Sequence, residues 1–330
     1  MRILFIFLLL GWLQLNAQIT YSFENADRTA RILNDITVLA HDSLMGREGG
    51  SEWEYRAGNY IIAEYKKCGL IPVPGTSDFR QPFVIDREYF DNGDSVITVS
   101  NNILGYIENN APYTIIIGGH YDHLGYKYTD DSLLHIYNGA DDNASGAASV
   151  MEMARYLSSG NMTKYNYILA CWGSEEKGLL GSNFFCSSHL YPFDKVAFYV
   201  NFDMVGRMGW QTDQLDIYGL GSSLVWGTVV SEENYGKYKL KKLEAAVDAS
   251  DHTCFNQNRI PFIYFTSGLP PVYHTPKDET VLINPEGVEL IVTYTEEIIG
   301  RFGGEKPSYR QVTKKEQNKV YWYFFSQMLN

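Results

Sequence analysis

Four short apolar runs in this chain each end on residues that can do chemistry. Tyr113-Thr-Ile-Ile-Ile117 is followed by Gly-Gly-His120-Tyr-Asp122-His123, and Tyr165-Asn-Tyr-Ile-Leu-Ala170 by Cys-Trp-Gly-Ser-Glu175-Glu176. Val196-Ala-Phe-Tyr-Val200 leads into Asn-Phe-Asp203, and Pro261-Phe-Ile-Tyr-Phe265 into a Gly/Pro loop ending at Tyr273-His274. Between the first two lies Gly139-Ala-Asp141-Asp142-Asn-Ala-Ser-Gly146, a loop that enters a helical stretch. Runs this apolar suit strands buried on both faces of a sheet, and α/β sheets build their sites at the carboxyl ends of such strands. Carboxylates and imidazoles therefore converge on one edge. Several carboxylates in one cleft repel one another and are costly to bury unpaired; divalent cations remove that cost. Histidine with carboxylate and without thiolate fits zinc ahead of manganese or cobalt. A pair of metals about 3.5–4 Å apart serves hydrolytic aminopeptidases, and one shared carboxylate could bridge them.

The motifs carrying these residues resemble those of the exported co-catalytic di-zinc aminopeptidases, whose relatives include aminopeptidase Y, plasma glutamate carboxypeptidase and glutaminyl cyclase. They are His120-Tyr-Asp122, Gly-Ala-Asp141-Asp142-Asn-Ala-Ser-Gly, Glu175-Glu176-Lys-Gly-Leu-Leu-Gly-Ser, Asn-Phe-Asp203-Met, Ser250-Asp251-His252 and Tyr273-His274-Thr-Pro-Lys-Asp. Any one alone is weak, but all six in order are specific. The resemblance runs from the Arg47 loop to the helix after Pro285 and excludes the tail. It implies that Asp142 bridges two zinc ions, that His120 and Asp203 complete one site, and that Glu176 and His274 complete the other. It further implies that Asp122 hydrogen-bonds the far nitrogen of His120, that Glu175 is the general base, and that Tyr273 donates to the developing oxyanion. The implied fold is α/β, a three-layer α/β/α sandwich around a mixed, mostly parallel sheet of about eight strands. The implied substrates are peptides with a free N-terminus. An aromatic or aliphatic first residue is the expected preference, since aromatic residues abound near the motifs.

Other polar residues have blander expectations. His41, His123, His135 and His189 lie outside a full motif and are expected to be ordinary histidines. His252 is expected to support the site or the fold and not to ligate, Asp141 to support its loop, and Arg207 to be salt-bridged. No GxxxxGK[ST] sequence occurs, so the Gly-rich segments are not a phosphate cradle.

The elements that position these residues follow from pattern. A helix capped at Asn25-Ala26-Asp27 runs through Ala40, with Ile32, Leu33, Ile36 and Leu39 on one face; a second runs from about Glu52 to Cys68 and stops at Gly69. The stretch from Pro82 to Ile107 reads as β. Helices are expected over Ala147 to Ser158, Leu179 to His189 and Ser222 to Tyr235, alternating with the apolar strands. A further helix follows Asn284-Pro285-Glu286. After Gly303-Gly304-Glu305-Lys306-Pro307 comes an amphipathic helix, Lys314 to Leu329, expected to dock on the body.

Composition limits the rest. The 330 residues are 45% hydrophobic and 15% aromatic, so the chain can bury a large core. With 27 Lys and Arg against 39 Asp and Glu the net charge is −12, which excludes nucleic acid and anionic membrane as natural partners. Met1-Arg2, the apolar run Ile3 to Leu13 and Leu15-Asn16-Ala17 read as a secretory signal cleaved after Ala17; the run is too short to span about 30 Å of hydrocarbon. The expected organisation is therefore signal 1–17, one catalytic domain 18–302 and tail 303–330, in a periplasmic or secreted protein with no membrane insertion. Cys68, Cys171, Cys186 and Cys254 lie far apart among apolar neighbours and are expected to be free buried thiols. The competing functions are a glutaminyl cyclase-like acyltransferase, disfavoured because all five ligand positions are present and Tyr stands before His274, and a receptor-like ectodomain, which would have lost ligands. Carboxypeptidase or dipeptidase activity of the same superfamily also stays open.

Overall fold

The computed structural model describes residues 28–89, 94–130 and 132–328. The expected signal segment and the start of the first helix lie outside the described residues. Helix α1 occupies residues 28–39. α2 (Glu52–Lys67) is capped by the Ser51 hydroxyl, which accepts the backbone N–H of Glu54. The strands β1 (Ile71–Pro72), β2 (Arg80–Tyr89), β3 (Ser95–Ile107) and β4 (Thr114–His120) follow, then a small hairpin, β5 (Tyr126–Tyr128) and β6 (Leu134–Ile136). The rest of the chain alternates: α3 (Gly146–Ser158), β7 (Asn166–Trp172), α4 (Leu180–Ser188), β8 (Val196–Phe202), β9 (Gln214–Tyr218), α5 (Trp226–Val229), β10 (Asn234–Tyr235), β11 (Tyr238–Lys242), α6 (His252–Gln257), β12 (Phe262–Thr266), α7 (Pro285–Gly300) and α8 (Lys314–Met328).

The main sheet has ten strands in the order β1-β3-β7-β4-β8-β12-β9-β11-β10, with β2 also paired to β3. Its centre, β7-β4-β8-β12, is parallel, and antiparallel strands flank it. β4, β7 and β8 are buried along their full lengths, as their uninterrupted apolar sequences require. Alternate residues feed two cores. Ile115 and Ile117 pack with Ile36 of α1, Ile61 of α2, Met151 of α3 and Ile291 of α7. Ile116 packs with Phe185 of α4, Phe255 of α6 and Val320 of α8. Helices thus cover both faces, giving the three-layer α/β/α sandwich.

Three expectations need correction. The sheet holds ten strands, not about eight, because β9, β10 and β11 are short and carry polar residues, such as Lys239 and Lys241, that blur a strand signal. The helix expected over Ser222 to Tyr235 shrinks to Trp226–Val229, since Gly227 and the β-branched pair Val229-Val230 disfavour extending it. Cys186 and Cys254 are joined in a disulfide, while Cys68 and Cys171 are free. The packing of α4 on α6 brings two cysteines 68 residues apart to a Cα–Cα distance of 6.2 Å, a proximity that their apolar neighbours could not reveal. Among the described residues no helix is long and apolar enough to cross a membrane.

Candidate metal centre

The carboxyl ends of the four parallel strands deliver the expected residues to one place. His120 is the last residue of β4, Asp203 directly follows β8, Glu175 and Glu176 follow β7, and His274 lies in the loop after β12. Gly118 and Gly119 let β4 fit: a Cβ on Gly118 would lie 2.5 Å from Trp172 Nε1, and one on Gly119 2.6 Å from the Phe202 carbonyl oxygen. Ser174, Met204 and His274, each in or beside the cluster, hold φ values of 53°, 56° and 55°. Side chains in this left-handed region carry backbone strain, which the surrounding packing must hold in place.

Asp142 is central. Its Oδ1 lies 3.3 Å from His120 Nε2 and its Oδ2 3.1 Å from His274 Nε2. His120 Nε2 is also 3.5 Å from Asp203 Oδ1, and His274 Nε2 is 3.2 Å from Glu176 Oε2. Nitrogen and oxygen ligands held about 2.0–2.1 Å from a tetrahedral zinc sit roughly 3.4 Å from one another, so these separations fit ligands that share an ion. His120, Asp142 and Asp203 form one group able to hold a metal, and His123, Asp142 and Glu176 another. Glu175 approaches His120 Nε2 only to 3.9 Å, which leaves its carboxylate outside both groups.

Protonation reports the same demand for positive charge. Burial opposes protonating His120, but the carboxylates of Glu175, Asp122, Asp142 and Asp203 overcome it and raise the imidazole well above its usual value. His274 is raised to about 10, where Asp142 and Glu176 outweigh burial. Burial pushes Glu175 well up despite His120. The clustered carboxylates thus call for positive charge, and the histidine and carboxylate donor set fits zinc.

Supporting residues fix each donor. Asp122 differs from expectation. His120 Nδ1 is 3.6 Å from the Asp122 carboxylate, too long for a good hydrogen bond, and closer, at 3.3 Å, to the Asp122 backbone oxygen. The Asp122 carboxylate instead accepts the backbone N–H groups of Glu175, at 2.9 Å, and Glu176, at 3.3 Å. Its hydrogen bonds therefore set the Glu pair. Ser250 donates to Asp203 Oδ2 at 2.7 Å, leaving Oδ1 for His120. Arg207 is salt-bridged as expected, to Asp141 and to Asp278, and Asp278 in turn accepts the backbone N–H groups of Asp141 and Asp142. Buried Arg47 donates to the carbonyls of Leu39, Tyr121, Asn138 and Gly139, tying the loops beneath the site. His252 is buried against the rings of Phe262 and Tyr264, and burial pushes it down to about 3, so it is a neutral packing residue. Tyr273 stacks on His274 with ring centroids 3.7 Å apart. Burial and the nearby carboxylates push its phenol well up, so it keeps its proton and can donate.

His123 is the residue that sequence reasoning set aside. It is buried, and its Nδ1 lies 2.7 Å from Glu176 Oε1 and 4.0 Å from Asp142 Oδ2. A hydrogen bond from this nitrogen fixes Glu176 and turns Oε2 toward His274. The only signal was its place one residue after Asp122, just past the end of β4, where it pairs with Glu48 in an isolated β-bridge.

A family model for peptidase family M28 matches residues 102–297. Aminopeptidase YwaD of Bacillus subtilis strain 168 is 31% identical over 292 residues, covering 80% of this chain and 61% of that protein. Leucine aminopeptidase 2 of Trichophyton rubrum is 32% identical over 115 residues, 33% of this chain and 23% of the relative. The chain thus spans about three fifths of the first relative's length and aligns with under a quarter of the second. A zinc aminopeptidase structure from Bacillus subtilis superposes with a TM-score of 0.66 at 18% identity, over 85% of this chain and 98% of that one. Bacteroides thetaiotaomicron glutaminyl cyclase bound to N-acetylhistamine gives 0.65 at 17%, over 83% and 98%. The two structures share the fold equally well, so fold alone does not separate their reactions. The family match over residues 102–297, which holds all five proposed metal ligands, makes this chain a member of peptidase family M28.

Proposed function

We propose that the protein is a two-zinc aminopeptidase that hydrolyses the first peptide bond of substrates with a free N-terminus. The observation that carries this reading is the single carboxylate of Asp142 facing His120 with one oxygen and His274 with the other, at 3.3 and 3.1 Å. Such a carboxylate can bridge two ions, with His120 and Asp203 on one side and Glu176 and His274 on the other. Zinc bound there supplies Lewis acidity toward the scissile carbonyl and acidifies a water. Glu175, outside the ligand groups, takes the proton of the attacking water and passes it to the departing amine. The Tyr273 hydroxyl donates to the carbonyl oxygen as negative charge develops there. The acidic rim of Glu175 and Asp203 draws in the α-ammonium group and orients the first carbonyl. Residues 1–17 supply export to the periplasm or medium, as their sequence pattern supports.

The test combines metal analysis with a peptide and its N-acetylated twin, products being followed by mass spectrometry. Two zinc ions per chain and stepwise loss from the free peptide alone are expected, and Asp142→Ala should lose both metals and turnover. Equal cleavage of both peptides would refute exopeptidase action. Cyclisation of an N-terminal Gln without hydrolysis would assign the protein to acyl transfer instead.

A further inference from the structure

The C-terminal helix α8 lies beyond the family match, which ends at residue 297, yet it reaches the metal centre. One cavity is lined both by His120, Glu175 and His274 and by Val247, Leu269, Phe324 and Gln327. The last two belong to α8. We propose that α8 forms the wall of the pocket that receives the substrate's first side chain, and that Phe324 and Gln327 restrict that side chain to uncharged, apolar groups. This inference rests on the aminopeptidase reading above.

The helix is built to hold that position. Its start is a capping box: Thr313 Oγ1 accepts the Glu316 N–H at 3.3 Å while Glu316 Oε2 accepts the Thr313 N–H at 2.7 Å. Val320 is buried in the core beneath it, beside Phe262 and Leu243, and Gln317 donates to the Ala246 carbonyl at 2.6 Å, next to Val247 of the same wall. The decisive anchor is Asp216 of β9, 3% exposed. Its carboxylate accepts the Tyr323 hydroxyl at 2.8 Å and the Gln327 amide Nε2 at 3.0 Å. With Nε2 committed there, Gln327 Oε1 turns toward Gly268, where an added Cβ would meet it at 3.6 Å. Gln327 is thereby fixed between this cavity and a neighbouring one lined by Arg207 and Pro270. Rigid placement of this kind is what a specificity wall needs.

The chemistry of the lining sets the selectivity. No Lys or Arg lines the cavity among the described residues. Beside Val247, Leu269 and Phe324 an acidic first side chain would find no Lys or Arg among the described lining residues to pair with, and would meet the desolvation cost of its charge. A basic one would place its charge among Phe324, Leu269 and Val247, since the Asp216 carboxylate that anchors α8 is already engaged by three donors. An apolar side chain gains burial there without penalty.

The experiment uses the full chain loaded with zinc and two variants, Phe324→Trp and Phe324→Arg, with thermal unfolding confirming that each is folded. Aminoacyl nitroanilides of Gly, Leu and Glu give kcat/KM, and calorimetry gives the affinities of free L-leucine and glycine. Filling the pocket with Trp should lower the Leu-to-Gly ratio by about tenfold or more, the scale on which apolar pockets discriminate. Placing Arg at the wall should raise the Glu-to-Leu ratio by about tenfold, a gain that mere loosening of the helix would not produce. Ratios unchanged within about twofold in both variants would overturn the assignment. Should the wild-type protein hydrolyse none of these substrates, the aminopeptidase reading falls by itself. The wall is then judged on binding: leucine must bind more tightly than glycine, and Phe324→Trp must abolish the difference. Equal affinities in the wild-type protein would overturn the wall as well.

Discussion

Arg207 offers a sharp test of how the site is held, because its effect is worked out without reference to substrate. The guanidinium is 1% exposed and lies 3.3 Å from Asp141 and 2.6 Å from Asp278, themselves 0% and 1% exposed. Replacing it in Arg207→Met keeps most of the packing volume but strands two buried carboxylates. Removing one partner of a buried ion pair costs about 3–5 kcal/mol, because the charge left behind is uncompensated. For a chain of this size that is a fall in Tm on the order of 10 °C. Loss of positioning should follow, since the Asp278 carboxylate accepts the Asp141 and Asp142 N–H groups at 3.1 and 2.9 Å and so sets the bridging residue. Zinc affinity, measured by competition with a chromogenic chelator, should therefore drop together with stability. The double variant Arg207→Met/Asp141→Asn separates charge from shape. Asn keeps an oxygen for the Gly206 N–H that Asp141 accepts at 2.7 Å while removing one stranded charge, so about half of the lost stability should return. A loss below about 1 kcal/mol in the single variant, or a double variant less stable still, would refute the claim that uncompensated carboxylates dominate the cost.

Three other outcomes are expected. Glu175→Gln should retain metal yet lose turnover by about 10²–10⁴-fold, whereas Glu176→Gln should lose metal first; metal content and single-turnover rates decide, and the reverse pattern would exchange the two roles. Burial, reinforced by the Asp122 charge, raises Glu54 from 4.5 to about 8, so the stability that its protonated form contributes is full below pH 4.5 and lost as pH rises through about 8. Glu54→Gln, a mimic of the protonated form, should flatten the fall in urea midpoint between those two pH values, and an unchanged slope would show that Glu54 is not its source. The Cys186–Cys254 bridge closes a separation of 68 residues; replacing both cysteines by Ala should cost about 2–5 kcal/mol, read from denaturant unfolding with and without reductant.

Much of the centre was legible in the amino-acid sequence, for a physical reason. Strands buried on both faces must be continuously apolar, so the runs ending at Ile117, Ala170, Val200 and Phe265 announce themselves, and the polar residues directly after them must lie at one edge of the sheet. His120, Asp142, Glu175, Glu176, Asp203 and His274 were found by that local rule and by motif, and the structure brings all six together. What escaped depends on neighbours distant in the chain. His123 reads as an ordinary histidine until Glu176, 53 residues later, is 2.7 Å away. Asp122 reads as a partner of its near neighbour His120, yet its carboxylate is taken by the N–H groups of Glu175 and Glu176. The edge strands β9 to β11 carry too little apolar pattern to declare themselves, and the disulfide needed α4 and α6 to meet. The tail was readable as an amphipathic helix, because periodicity is local. That its Phe324 and Gln327 close the pocket was decided by the buried carboxylate of Asp216, more than a hundred residues earlier, which pairs only with donors that the folded sheet and helix bring to it.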